Sequence, residues 1–211
     1  MASGKTTVRI RKQTPKVPAE QSPLLNICLT PGCFVPNHDD LKRLIHQYRN
    51  IGKRIVLTQG VYDLIHVGHA LYLSKARLLG DILIVGLDSD ELTRVRKGPR
   101  RPIVPQEERV EMLLHLRHVD VVTMREVEHG IGGLIELVRP DVFVASESTK
   151  DFSREQQLEY ERCCGKVVIF PPQATTSSTN RMRQLAIDGA EELATEVERL
   201  TSTFLERIRK A

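Results

Sequence analysis

Apolar residues recur along this chain in two alternating rhythms. Short, nearly continuous apolar runs occupy residues 54–58, 81–87, 119–124, 141–145 and 167–170, the pattern of strands covered on both faces. Between them the apolar positions return every three or four residues, as on helices packed by one face. Leu41, Leu44, Ile45 and Tyr48 mark a lead-in helix over 38–51, capped by Asn37 or Asp39 and stopped by Gly52. Residues 70–79 form a helix ended by Gly80, and residues 88–94 a turn or short helix. Further helices are expected from Pro105, over 131–138 and over 154–163. Alternating strands and helices predict an α/β domain: a Rossmann-like, doubly wound, five-stranded parallel sheet with helices on both faces. A C-terminal helix follows, with Leu193, Val197, Leu200, Phe204 and Ile208 at helical spacing. It packs on the domain or on a second copy, and a homodimer is one outcome of that choice.

Three segments result: a polar tail over 1–23 expected to be disordered, a domain over 24–187, and an amphipathic helix over 188–211. Within the domain, residues 24–36 should lie along its surface. The formal charge of +4 sits in the tail, where five Lys or Arg face one acid and leave 26 of each sign elsewhere. The folded part is therefore neutral and lacks the basic stripe of a nucleic-acid reader. No apolar run reaches a membrane span and the start lacks a secretory pattern. The four cysteines lack paired metal-ligand spacing, so reduced thiols and a cytoplasmic location are expected.

Candidate chemistry gathers at the carboxyl ends of the strands, where open α/β sheets bind ligands. After the first strand come Thr58, Gly60, Val61, Tyr62, Asp63, His66, Gly68 and His69. Two histidines three residues apart in a first helical turn share a face beside unpaired N–H groups and the positive end of the helix dipole, a place for polyphosphate. Gly68 between them lets a nucleotide approach the backbone. Lys97, in a basic, proline-broken loop, could reach the phosphates. Ser177, Ser178 and Thr179 open a late helix as a second anion site, with Arg183 one turn in. Asp88, Arg109 and Ser146 are further candidate substrate contacts.

The run Gly60, Asp63, His66, Gly68, His69 resembles the signature of the cytidylyltransferase-like nucleotidyltransferase superfamily. Over roughly residues 35–185 the order and spacing are similar to the adenylyltransferase domain of the enzyme that makes ADP-heptose. The matching pieces include Lys97-Gly98, Arg101-Pro102, Pro105 to Arg109 and Ser178-Thr179-Asn180. The resemblance implies transfer of a nucleoside monophosphate from a nucleoside triphosphate to a small phosphorylated acceptor such as a sugar phosphate. Mg²⁺ then travels with the triphosphate, without direct protein ligands. It also implies that His66 and His69 are the catalytic phosphate-binding pair, Lys97 a further phosphate contact, and Ser178 and Thr179 the late phosphate site. Where that family carries a Lys-Gly-Gly-Asp-like segment after the fourth strand, this chain has Ala145-Ser146-Glu147, so heptose phosphate is not implied. Cytidylyltransferases of the glycerol-phosphate and ethanolamine-phosphate type are also similar. They carry an Arg-Thr-x-Gly-Ile-Ser run before the last helix, where this chain has residues 172–177 without that Arg or Gly, and this favours ATP over CTP. A non-catalytic nucleotide-binding regulator is the other class, and two intact histidines argue against it. The loop and helix over 97–109 are expected to close over substrate.

Overall fold

The computed structural model describes residues 32–130, 132–147, 154–174 and 178–210, with 154–156, 178–180 and 210 described in backbone only. The expectations for the tail over 1–23, for residues 24–31 and for Ser177 lie outside the described residues. The elements in chain order are β1 (Cys33–Phe34), α1 (His38–Asn50), β2 (Ile55–Gly60), α2 (Val67–Arg77), β3 (Ile82–Asp88), α3 (Asp90–Lys97) and α4 (Gln106–Leu114). They continue as β4 (Val121–Arg125), a 3-10 turn (Val127–His129), α5 (Gly133–Val138), β5 (Val142–Ser146), α6 (Arg154–Glu161), β6 (Val167–Phe170) and α7 (Ser178–Lys210).

All pairings are parallel, in the order β1-β4-β3-β2-β5-β6. The sheet has six strands, not five. The additional one, β1, is two residues long and pairs Cys33 with Val121 and Phe34 with Val122. A strand that short shows no period in sequence, and it lies in the stretch expected to run along the surface. Cys33 is disulfide-bonded, which corrects the expectation of reduced thiols throughout; Cys163 and Cys164 are free.

Alternate residues of the central strands feed two cores. Ile55, Leu57, Ile82 and Ile84 pack with Leu41, Leu44, Ile45 and Tyr48 of α1 and with α5. Val56, Leu83, Val85 and Leu87 pack with Leu73 and Ala76 of α2 and with Val110 and Leu113 of α4. Every residue of β3 is buried, as helices on both faces require. The Asn37 side chain caps α1 by accepting from the N–H groups of Asp39 and Asp40 at 2.8 and 3.1 Å.

Two further boundaries differ from expectation. Residues 90–97 are a full helix, because the Ser89 hydroxyl accepts from Leu92 N–H at 3.2 Å while Asp90 and Glu91 occupy the positive end. Lys97 therefore ends a helix rather than lying in a loop. The late helix expected after the Ser-Ser-Thr-Asn run and the helix expected over 188–211 are one, running from Ser178 through Gly189 without a break. No helix among the described residues is long and apolar enough to cross a membrane.

Candidate active site

The order reverses between β2 and β5: the chain steps from β2 outward through β3 and β4, then returns to β5 and β6. The crevice of such a sheet opens above this reversal. There β2 ends at Gly60 and α2 begins at Val67.

The turn between them fixes both histidine rings. The His66 Nδ1 accepts from the N–H of Gly68 at 3.0 Å, and the His69 Nδ1 accepts from the N–H of His66 at 3.3 Å. Together they form a reciprocal cap on α2. Because each Nδ1 acts as an acceptor, the proton of each neutral ring sits on Nε2. The rings lie 4.2 Å apart. Burial, then the charge of Arg181, lowers the His66 pKa below its ordinary 6.5. Burial, then the neighbouring His66, brings His69 down to about 4. Near neutral pH both rings are uncharged and each offers one N–H donor.

Side chains around the pair explain its spacing. A Cβ on Gly68 would fall 2.8 Å from His66 Cε1 and 2.9 Å from the Ala174 Cβ, so the position has no room for one. The same contact shows that the β6–α7 connection crosses over the start of α2. Tyr62 adopts a left-handed φ of 49°, uncommon for a bulky residue. Its buried ring lies 5.6 Å from that of His69. Beside His66, a cavity of about 440 Å³ is lined by Tyr62, Asp63, Leu64, Ile65, Arg109, Met112, Arg181 and Met182, among others.

Several candidates are engaged within the protein instead. Thr58 is buried, and its hydroxyl meets that of Tyr72 at 2.7 Å, while Tyr72 donates to the Val144 carbonyl at 2.9 Å. Thr58 thus joins β2, α2 and β5 behind the site. Asp63 accepts from Ile103 N–H, Val104 N–H and the Arg101 guanidinium at 2.8, 2.9 and 2.6 Å. It clamps the loop after α3 to the histidine turn. Arg109 is 1% exposed. Its guanidinium donates to the carbonyls of Val104, Val61 and Asp88 and to the Asp90 carboxylate. Asp88 is fully buried and ion-paired with Arg96 and Arg125. Arg109 and Asp88, expected as substrate contacts, thus have partners within the protein, and Arg109 also lines the cavity.

Val61 contributes its carbonyl to Arg109. Lys97 is exposed, and Ser146 is half-buried at the carboxyl end of β5; neither lines the cavity. Ser178 and Thr179 open α7, and Arg183 is exposed in its second turn. Three residues were not anticipated: Arg101, Tyr72 and Arg181. Arg101 stood in a recognised basic loop, but the partner of a loop arginine is a tertiary fact. Arg181 followed the anticipated Ser-Ser-Thr-Asn run and its nearness to His66 had no local signal.

Residues 57–194 match the cytidylyltransferase-like family. Among curated proteins, the chain is 36% identical over 155 residues to the bifunctional protein HldE of Methylobacillus flagellatus, a match covering 72% of this chain and 31% of that protein. It is 44% identical over 110 residues to the protein of that name in Geobacter sulfurreducens, covering 52% and 22% respectively. The chain thus spans about a third or less of the length of these relatives. Among solved structures, the lipopolysaccharide core biosynthesis protein of Thermoplasma volcanium superposes with a TM-score of 0.51 at 26% identity, covering 57% of this chain and 98% of that one. The histidine turn falls inside the matched stretch, and the chain belongs to the cytidylyltransferase-like family of nucleotidyltransferases.

Proposed function

We propose that this chain transfers a nucleoside monophosphate, AMP in preference to CMP, from a nucleoside triphosphate to a small phosphorylated acceptor. The observation that carries the reading is the pair of oriented Nε2–H donors at the start of α2, above the reversal in strand order. A phosphate oxygen of the acceptor attacks the α-phosphorus in line. The bond from that phosphorus to the oxygen bridging to the β-phosphate breaks, and pyrophosphate leaves. Negative charge grows on the leaving oxygens, so the groups needed are fixed N–H donors and cations rather than a protein nucleophile.

His66 and His69 supply neutral donors whose orientation is set before substrate arrives. Arg181, whose charge already acts on His66, supplies a cation, and Lys97 a second from the end of α3. The late helix start at Ser178 and Thr179 adds backbone N–H groups. A donor set of ring N–H groups and cations fits a magnesium–triphosphate complex held through its phosphate oxygens. When bound, the ion shields the charge of the departing pyrophosphate. Preference for the adenine nucleotide rests on the resemblance to the ADP-heptose-forming domain.

The test is thermal melting with Mg²⁺ and each of ATP, CTP, GTP and UTP, followed by pyrophosphate release with a panel of sugar phosphates and phosphorylated alcohols. ATP should raise the melting point selectively, because it binds the native state, and should be cleaved only with acceptor present. A selective CTP shift would replace AMP by CMP in the reading. No shift and no pyrophosphate with any pair would overturn it.

A further inference from the structure

The family match ends at residue 194, yet α7 runs on to Lys210. From Arg183 to Arg209 each residue of this 33-residue helix is either fully or largely exposed. Along it, Ala190, Leu193, Val197, Leu200 and Phe204 recur at alternating intervals of three and four, the spacing of a coiled-coil seam. Leu193, Val197, Leu200 and Phe204 are 53–66% exposed, and Ile187 and Ile208 flank the same face. An isolated helix in water owes little of its stability to propensity, so a seam of this kind calls for a partner.

We propose that the seam pairs with the same helix of a second copy of this chain, in antiparallel orientation. Direction is decided by what each arrangement brings together. In a parallel pair like positions meet, so Arg207, the next seam position, would face Arg207 of the second copy, and Ala190 would face Ala190. In the antiparallel pair Val197 faces Leu200, Leu193 faces Phe204 and Ala190 faces Arg207 of the second copy. Each Phe204 ring then lies between Ala190 and Ala194 of the other helix, whose small side chains leave it room. Each Arg207 stem crosses Ala190 and reaches Glu191.

The charge pattern runs the same way. Asp188, Glu191, Glu192, Glu196 and Glu198 make one stretch acidic, and no Lys or Arg falls between 184 and 198. Arg207, Arg209 and Lys210 make the end basic around a single Glu206. Antiparallel pairing sets acidic stretch against basic end at both ends of the seam. At 1.5 Å per residue the two domains stand about 50 Å apart along the axis, so their bodies do not collide.

The experiment measures the mass of the full chain in solution at micromolar concentration by sedimentation or light scattering. The wild type should be a dimer. Val197→Glu with Leu200→Glu should give a monomer whose domain melts as before and whose pyrophosphate release per chain is unchanged. Orientation is read from a mutant cycle: Glu191→Lys and Arg207→Glu should each weaken the dimer severalfold, and the two together in one chain should regain the affinity. In a parallel pair these positions lie about 24 Å apart along the helix and would show no coupling. A monomeric wild type, a dimer indifferent to the seam substitutions, or a cycle without recovery would each overturn the proposal.

Discussion

Two neighbouring regions at the carboxyl edge of the sheet carry comparable chemistry to different ends. The junction of β3, α3 and α4 holds Asp88, Asp90, Arg96 and Arg109, and Arg125 joins it from β4. These groups are directed at one another and at backbone carbonyls. The turn between β2 and α2 holds two histidines, uncharged near neutral pH, each with Nδ1 committed to the cap so that the ring proton sits on Nε2. The difference is one of remaining valence. In the first region the charges are consumed in holding the fold, while in the second the cap orients ring donors that the proposed transfer would use.

The strongest way to break this comparison is to open the knot. Arg109→Ala removes donors from three carbonyls and the Asp90 carboxylate, all buried or partly buried. It should lower unfolding free energy by about 3–5 kcal/mol. Urea denaturation measures this; a loss below about 1 kcal/mol would mean that Arg109 is not structural.

Next in size, His66→Ala and His69→Ala should each lower kcat by about a hundredfold to a thousandfold. Thermal melting should shift much less than in Arg109→Ala, since only a cap is lost. Equal damage to melting in both regions would erase the distinction.

Acid titration comes third. Unfolded histidine takes a proton near 6.5, whereas folded His69 does so at about 4. Between those values the unfolded chain binds more protons, so the stability associated with His69 is full above pH 6.5 and falls as pH drops toward 4. The loss is on the order of 2–3 kcal/mol, and His66 adds to it in the same direction. His69→Gln should flatten this part of the stability profile relative to the wild type; parallel profiles would contradict it.

The smallest effect is expected at the clamp joining the two regions. Asp63→Asn keeps an acceptor for the N–H groups of Ile103 and Val104 but loses the charge opposite Arg101. It should cost about 1–2 kcal/mol and expose the loop over 98–104 to protease. Because the native loop is tied at three points, nucleotide should change its cleavage rate only modestly, against the sequence-based expectation of a free closing loop.

The alternation of β2, α2, β3, β4 and β5 was legible because apolar runs covered on both faces need no tertiary information to be recognised. The histidine turn was legible because its residues are local: strand end, glycines and helix start lie within a dozen positions. What escaped was decided by distant partners. β1 is too short to show a rhythm and exists because β4 offers an edge. The partners that Asp63 and Arg109 find within the protein were not legible, because composition gives a charge its sign but not its neighbour. Arg181 reaches His66 from more than a hundred residues away.

The reciprocal cap on α2 has a thermal consequence. The hydrogen bonds that aim the two rings are also those that hold the first turn of the helix, and first turns fray before domains unfold. If the rings act as proposed, their aim should be lost by local melting at a temperature where the sheet and both cores are still intact. Heat inactivation should run ahead of global unfolding and reverse on cooling, and substrate bridging the two rings should draw the two transitions together.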